Sequence, residues 1–155
     1  MLYHSLFDLE TVALRYFNVF GPGQDPHSEY SAVIPKFINR LLAREPLVVF
    51  GDGNQSRDFT YIDNVVNANL LALSAKGAAG EVLNIGCGAR FSLNHLIEKL
   101  EQILGIHARI EYFPAREGDV RDSMADIGKA RDILGYEPEI SFETGLRLTI
   151  KAFNR

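Results

Sequence analysis

A run of β-branched, aromatic and aliphatic residues, TVALRYFNV at 11–19, stands near the start of the chain and stops at Gly21-Pro22-Gly23. Its apolar residues do not alternate with polar ones, so it reads as a strand buried on both faces and ending in a loop. Such a strand needs partners at its edges and cover above and below. Only a short apolar stub, residues 1–9, precedes it, and that stub reads as the tail of a helix. The chain supplies few strands to neighbour it. The expectation is a piece of something larger.

The remaining punctuation spells strands alternating with helices. A polar loop is expected over 24–31. A helix follows over 33–44, with Pro35 tolerable in its first turn and Phe37, Leu41 and Leu42 on one face; Pro46 ends it. A short strand at 47–50 closes on the turn Gly51-Asp52-Gly53-Asn54. After an extended piece at 59–62, Asp63 is placed to cap a helix in which Val66, Leu70 and Leu73 recur at helical spacing. Gly77 and Gly80 bracket a loop before a second buried strand at 81–85. Ser92 caps the next helix, whose apolar residues run from Leu93 to Leu104 before Gly105 stops it. A strand at 108–113, a loop at 114–124, a short helix from Asp126 to Gly135 and a last helix from near Ser141 complete the order. That last helix puts Leu146, Ile150 and Phe153 on one stripe. The alternation indicates a layered α/β architecture without internal repeats, and at 155 residues one compact unit, 1–155, is expected.

Composition narrows the function classes. A net charge of −4 argues against nucleic acid, which requires a concentrated basic surface. An anionic small molecule stays possible if a few arginines focus in one cleft against the overall sign. The single cysteine, Cys87, excludes an intramolecular disulfide framework and agrees with a reducing cytoplasm. The four histidines lie too far apart to suggest a local metal motif. No apolar run reaches bilayer-spanning length, and the first residues lack a signal peptide's pattern. Neither a metal nor a membrane is expected.

Three segments carry residue types suited to chemistry. Asn18 is a polar residue at the end of an apolar strand, where α/β sheets gather ligands; it serves a ligand or merely pins the Gly-Pro-Gly turn. Arg57 lies between a turn and a strand, and its planar fork suits phosphate oxygens. The bland alternative is a surface pair with Asp58 or Asp52, worth little. Arg116 and Asp119 share a loop after a strand, suited to a diphosphate and to ribose hydroxyls, or else to a solvated loop of mixed charge. Gly86-Cys87-Gly88 lacks a third glycine and reads as a strand-to-helix turn. Cys87 reads as a buried structural thiol.

Taken in order, these segments resemble the C-terminal half of UDP-hexose 4-epimerases of the extended short-chain dehydrogenase/reductase family. The resemblance rests on LRYFNVFGPG at 14–23 with QDP at 24–26, VIPKF at 33–37, GDG at 51–53 through RDF at 57–59 with YID at 61–63, VLNIG at 82–86, REGD at 116–119, AD at 125–126 and LGYEP at 134–138. It implies the last sheet strands of a Rossmann-type fold plus the small α/β substrate-binding domain. By position, it implies that Asn18 bonds the diphosphate, Arg57 and Arg116 grip its oxygens and Asp119 holds the uridine ribose. Val33 and Phe37 would line a uracil pocket, Tyr16 and Phe17 would lie near the nicotinamide edge of NAD, and Ser123 would stand beside the sugar. A small residue there leaves room for an N-acetyl group. Asn64 departs from a second acidic residue common in the family, without functional consequence.

The family's Gly-rich dinucleotide loop and its Tyr-x-x-x-Lys pair are expected upstream of the matching region, and no Tyr-x-x-x-Lys occurs in this sequence. In the whole enzyme, the resemblance implies oxidation at sugar C4 with NAD, rotation of the 4-keto intermediate and hydride return to the other face, the tyrosine acting as base. This chain alone is therefore expected to bind a UDP-sugar without turnover, to hold no catalytic residue and to bind no NAD by itself. Two alternatives stand beside that reading. One is a non-catalytic module that pairs through the exposed edge of the 11–19 strand, with its own copy or with an N-terminal half. The other is a fragment of a nucleotide-sugar dehydratase or decarboxylase.

Overall fold

The computed structural model describes residues 2–25 and 33–153. In chain order the elements are α1 (Leu2–Phe7), β1 (Ala13–Tyr16), β2 (Val19–Phe20), α2 (Val33–Leu42), β3 (Leu47–Phe50), β4 (Ser56–Arg57), β5 (Thr60–Tyr61), α3 (Ile62–Ser74), β6 (Val82–Ile85), β7 (Phe91–Ser92), α4 (Leu93–Leu104), β8 (Ile110–Phe113), α5 (Gly128–Leu134) and α6 (Phe142–Phe153). Strand pairs β1–β6, β2–β5 and β3–β8 are parallel, and β4–β7 is antiparallel. Most of the loop expected at 24–31 lies outside the described residues.

The strand expected over 11–19 is two strands. Asn18 takes a left-handed conformation, φ 32°, which asparagine tolerates better than a β-branched residue would. The break sends β1 to β6 and β2 to β5. A tertiary partner causes it: Asn18 accepts from the Thr60 N–H at 3.2 Å and donates its side-chain amide to the Asp58 carbonyl at 3.1 Å.

Two apolar centres result. The first gathers α2, α4 and α6 around Phe20, Leu47 and Val49, with the Phe142 ring stacked between Phe59 and Phe91 at centroid distances of 5.3 and 4.5 Å. The second holds Leu83 and Ile85 of β6 against Val65 and Ala68 of α3 and Ala130 and Leu134 of α5. Ile62 packs against both.

Local stop and start signals act where the sequence puts them. Ser92 Oγ accepts from the His95 N–H at 3.1 Å, and Gly105 closes α4 in the left-handed conformation. Gly135 does the same for α5, and Ser141 Oγ accepts from Thr144 N at the start of α6. The expected cap of α3 is different. Tyr61 occupies the N-cap without a side-chain bond, and Asp63 sits one residue inside, where its charge meets the positive helix end.

The stripe of α3 differs as well. Val66, Leu70 and Leu73 share a face, yet they are exposed, Leu73 to 85%; Asn64, Val65 and Ala68 face inward. Asn64, the family departure, is buried and holds residue 140 from both sides, donating to its carbonyl at 2.8 Å and accepting from its N–H at 2.9 Å. The β1 edge beyond β6 carries no strand among the described residues. Between that edge and α3 lies a cavity of about 540 Å³ that includes Leu14, Tyr16, Asn69 and Leu73.

Candidate binding groove

The site-forming segments meet where β2, β4 and the N-terminal ends of α2 and α4 converge. One cavity of about 230 Å³ is lined by Asn18, Val33, Arg57 and Asp119, with Phe20 and Phe59 beneath. A second, of about 430 Å³, includes Lys36, Phe37, Arg40, Phe50 and Arg116. Val33, Gln55, Leu93 and Asp119 line both, so the two form one groove. Arg57 and Arg116 stand in its two sections and are not held on one point.

The Asp52 turn leads into Gln55, which lines both sections. Asp52 Oδ1 accepts from Asn54 N at 2.9 Å, an Asx-type closure that fits the GDGN signal. Gln55 then donates to the Phe50 carbonyl at 2.6 Å, while its own carbonyl accepts from Leu93 N at 3.2 Å. The start of α4 is thereby tied to the end of β3.

Arg57 pairs with neither Asp58 nor Asp52, the partners that a local reading offers. Its Nη2 donates to Asp119 Oδ1 at 2.6 Å, and Nη1 donates to the carbonyls of Ser56 at 2.8 Å and Arg121 at 3.2 Å. Asp52 instead faces Arg121 at 3.7 Å. Arg116 lays its guanidinium over the Phe50 ring, 3.9 Å from the centroid, so the 114–124 loop is held at its start as well.

Asp58 is fully buried. Its carboxylate accepts three backbone N–H groups, from Cys87 at 2.8 Å, Gly88 at 3.0 Å and Ala125 at 3.1 Å. Burial raises its pKa above the ordinary carboxylate range, and the three donors oppose that rise. Packing is tight around it. A Cβ on Gly86 would meet the Ala125 methyl and come within 2.8 Å of Asp58 Oδ2. The Tyr136 hydroxyl donates to the Gly86 carbonyl at 2.9 Å.

Cys87 is half-buried, with its thiol donating to the Phe59 carbonyl at 3.5 Å; burial, followed by the Asp58 charge, pushes it up to about 11. Burial thus favours the protonated thiol at neutral pH. Among the described residues no group of three or more His, Cys, Asp or Glu is arranged to hold a metal ion, and no helix is long and apolar enough to cross a membrane.

The structure brings together Asn18, Val33, Phe37, Arg57, Arg116 and Asp119. Ser123, expected beside the sugar, and Tyr16 and Phe17, expected near the nicotinamide, lie outside this groove. Ser123 donates its N–H to the Ser56 carbonyl at 3.1 Å, flanking Arg57 outside the groove lining. Tyr16 bonds Asn69 at 3.0 Å and lines the separate cavity against α3, while Phe17 packs into the second apolar centre. The sequence holds no G-x-G-x-x-G.

Sequence reasoning missed Gln55, Leu93, Lys36 and Arg40. Lys36 and Arg40 were within reach of it: with Val33 they repeat at helical spacing on the face of α2 that borders the groove.

Parallel pairing of strands through intervening helices makes this a Rossmann-type α/β protein. The chain belongs to the NAD dependent epimerase/dehydratase family, whose model matches residues 2–86. It is 40% identical over 149 residues to a UDP-glucuronate 4-epimerase of Thermodesulfobacterium geofontis, covering 96% of this chain and 44% of that protein. Among solved structures, the UDP-glucose 4-epimerase of Thermotoga maritima with UDP-glucose superposes with a TM-score of 0.93 at 42% identity, covering 99% of this chain and 48% of that one. The UDP-N-acetylglucosamine 4-epimerase of Methanobrevibacter ruminantium, in complex with UDP-N-acetylmuramic acid, gives 0.92 at 42% identity and covers 99% and 49%. The chain spans about half the length of the curated relatives it matches. Relatives at 31–32% identity include UDP-sugar decarboxylases.

Proposed function

We propose that this chain is the nucleotide-sugar-binding part of an NAD-dependent 4-epimerase, acting as one unit on a UDP-hexose or UDP-N-acetylhexosamine in the cytoplasm. The carrying observation is electrostatic. Lys36, Arg40, Arg57 and Arg116 line the groove against the single carboxylate of Asp119, in a chain of net charge −4. Such focusing of positive charge suits a diphosphate. In this reading Asn18 and Arg57 hold the diphosphate from the inner section, and Arg116 takes it from the outer one. Asp119 turns from Arg57 to the ribose hydroxyls, while Val33 and Phe37 form the apolar wall beside the base. The preference for N-acetylhexosamines rests only on the small side chain of Ser123 at the groove's flank.

The chain contributes binding and orientation. A proton acceptor for the sugar hydroxyl and a seat for NAD belong to the remaining half of the family fold, so turnover by this chain alone is nil in this reading. Isothermal calorimetry tests the binding. UDP titrated into the wild-type protein gives heat, and Arg57→Ala and Arg116→Ala weaken it; silence at millimolar UDP sinks the proposal.

A second reading draws on the open β1 edge and the apolar exposure of α3. Unpaired strand edges template association, and the cavity between β1 and Leu73 would receive side chains from an added strand. The partner is a second copy or the other half of the family fold. Sedimentation showing a monomer at every concentration, with the other half present or absent, removes it.

A further inference from the structure

We propose that Asp58 is a positioning residue for the groove, setting Arg57 and the 116–119 loop in register from behind without touching the ligand. Three segments meet at Asp58. Its own backbone belongs to the segment that follows Arg57, and its carbonyl accepts the Asn18 amide at 3.1 Å. Its Oδ1 receives Cys87 N, and its Oδ2 receives both Gly88 N and Ala125 N. Ala125 ends the segment that carries Arg116, Asp119 and Ser123. The buried carboxylate therefore ties the 87–88 turn to the far end of the loop, while the main-chain carbonyl of the same residue, next to Arg57, holds Asn18.

Chain geometry makes this more than core filling. The 114–125 segment forms no helix and no named strand. Its attachments include Arg116 over Phe50 at its start, Asp119 and the Arg121 carbonyl on Arg57, the Ser56 contacts with 121–123, exposed ion pairs of Arg121 with Asp52 and Asp122 with Arg90, and Ala125 on Asp58 at its end. The Ser56 Oγ bond to Asp122 Oδ1, at 2.5 Å, lies at a half-exposed rim. The Asp58 attachment is the one shielded from water, where a hydrogen bond to a charged acceptor is strongest. An aspartate also fits the donor set as no amide does. All three neighbours present N–H groups, and an asparagine would turn an NH₂ against at least one of them.

This inference rests on the nucleotide-sugar reading for its ligand, but its loop mechanics can be measured without one. The test compares wild type with Asp58→Asn by amide hydrogen exchange at low temperature and by UDP titration. In the ligand-free variant, exchange at Ser56, Ser123 and Ala125, whose N–H groups hold the loop, speeds by about tenfold or more, the scale of one lost charge-assisted bond. Amides in the middle of α4 keep their wild-type rates. The dissociation constant for UDP rises by about tenfold. Should exchange rise equally in α4 and the loop, or UDP affinity of the folded variant match wild type, Asp58 is a core residue only and the proposal is overturned.

A second measurement covers a variant that does not fold. In the wild type, saturating UDP slows exchange of Cys87, Gly88 and Ala125, which lie behind the groove; unchanged rates there overturn the proposal as well. A wild-type protein that binds no UDP defeats the nucleotide-sugar reading instead, leaving the loop result to stand or fall on the ligand-free exchange.

Discussion

Arg57 Nη2 lies 2.6 Å from Asp119 Oδ1, a pairing across 62 residues that closes the inner section of the groove on itself. The guanidinium is largely sheltered while the carboxylate is half-exposed, so Asp119 is the partner free to swing away. In the proposed reading the carboxylate occupies the place that a diphosphate would take on Arg57. Arg57→Ala removes the inner cation and lowers UDP affinity by about tenfold or more, since hydrogen bonds to charged groups are worth ~1.5–3 kcal/mol. Asp119→Ala lowers it less, because losing a ribose contact is offset by releasing Arg57. Calorimetric titration of the two variants checks the order, and equal losses would contradict it.

Arg116 acts through shape as well as charge. Its plane lies on the Phe50 ring at 3.9 Å. Arg116→Lys keeps the cation and gives up the flat contact and the forked donors. It is expected to weaken UDP binding nearly as much as Arg116→Ala, by several-fold. A lysine variant that binds like wild type would mean that charge alone suffices.

Gly86 stands where three segments crowd. Gly86→Ala would drive a methyl into Ala125 and against Asp58 Oδ2 at 2.8 Å, with little freedom for either to retreat. A destabilisation of about 1–3 kcal/mol is expected from such overpacking. Urea denaturation of the variant measures it, and an unchanged midpoint would refute the crowding.

Cys87 couples stability to alkaline pH. Its folded-state pKa, pushed up to about 11 from an ordinary 9.0, means that the folded chain holds the thiol proton more tightly than the unfolded chain does. The associated stability is fully present below pH 9 and is lost as pH rises towards 11. Cys87→Ala therefore flattens the fall in melting temperature across that window. Iodoacetamide labels the folded wild type slowly at pH 8 and the unfolded chain quickly. Rapid labelling of the folded protein would show the thiol to be less shielded.

Signals that reside within one turn of chain were legible. Ser92, Gly105 and Gly135 act on backbone groups a few residues away, so the letters alone place them. Resemblance made six groove residues legible, Asn18, Val33, Phe37, Arg57, Arg116 and Asp119, but not Gln55, Leu93, Lys36 or Arg40, and it placed Ser123 in a lining it does not join. What distance decides was hidden. Periodicity on α3 marks Val66, Leu70 and Leu73 as one stripe but does not say that no described element covers it. The break at Asn18 depends on where Asp58 and Thr60 lie in space. Asp58 itself reads as half of a surface charge pair beside Arg57 and is instead a buried acceptor for backbone amides.

The turn at Asn18 also bears on how the molecule melts. Two apolar centres in one chain invite unfolding in stages, one lobe before the other. Here the backbone passes from the first sheet pair to the second through one left-handed residue, and Ile62 lends its side chain to both centres. Loosening either lobe withdraws support from its neighbour, so heat finds no seam between them and a single calorimetric peak is the form that denaturation takes.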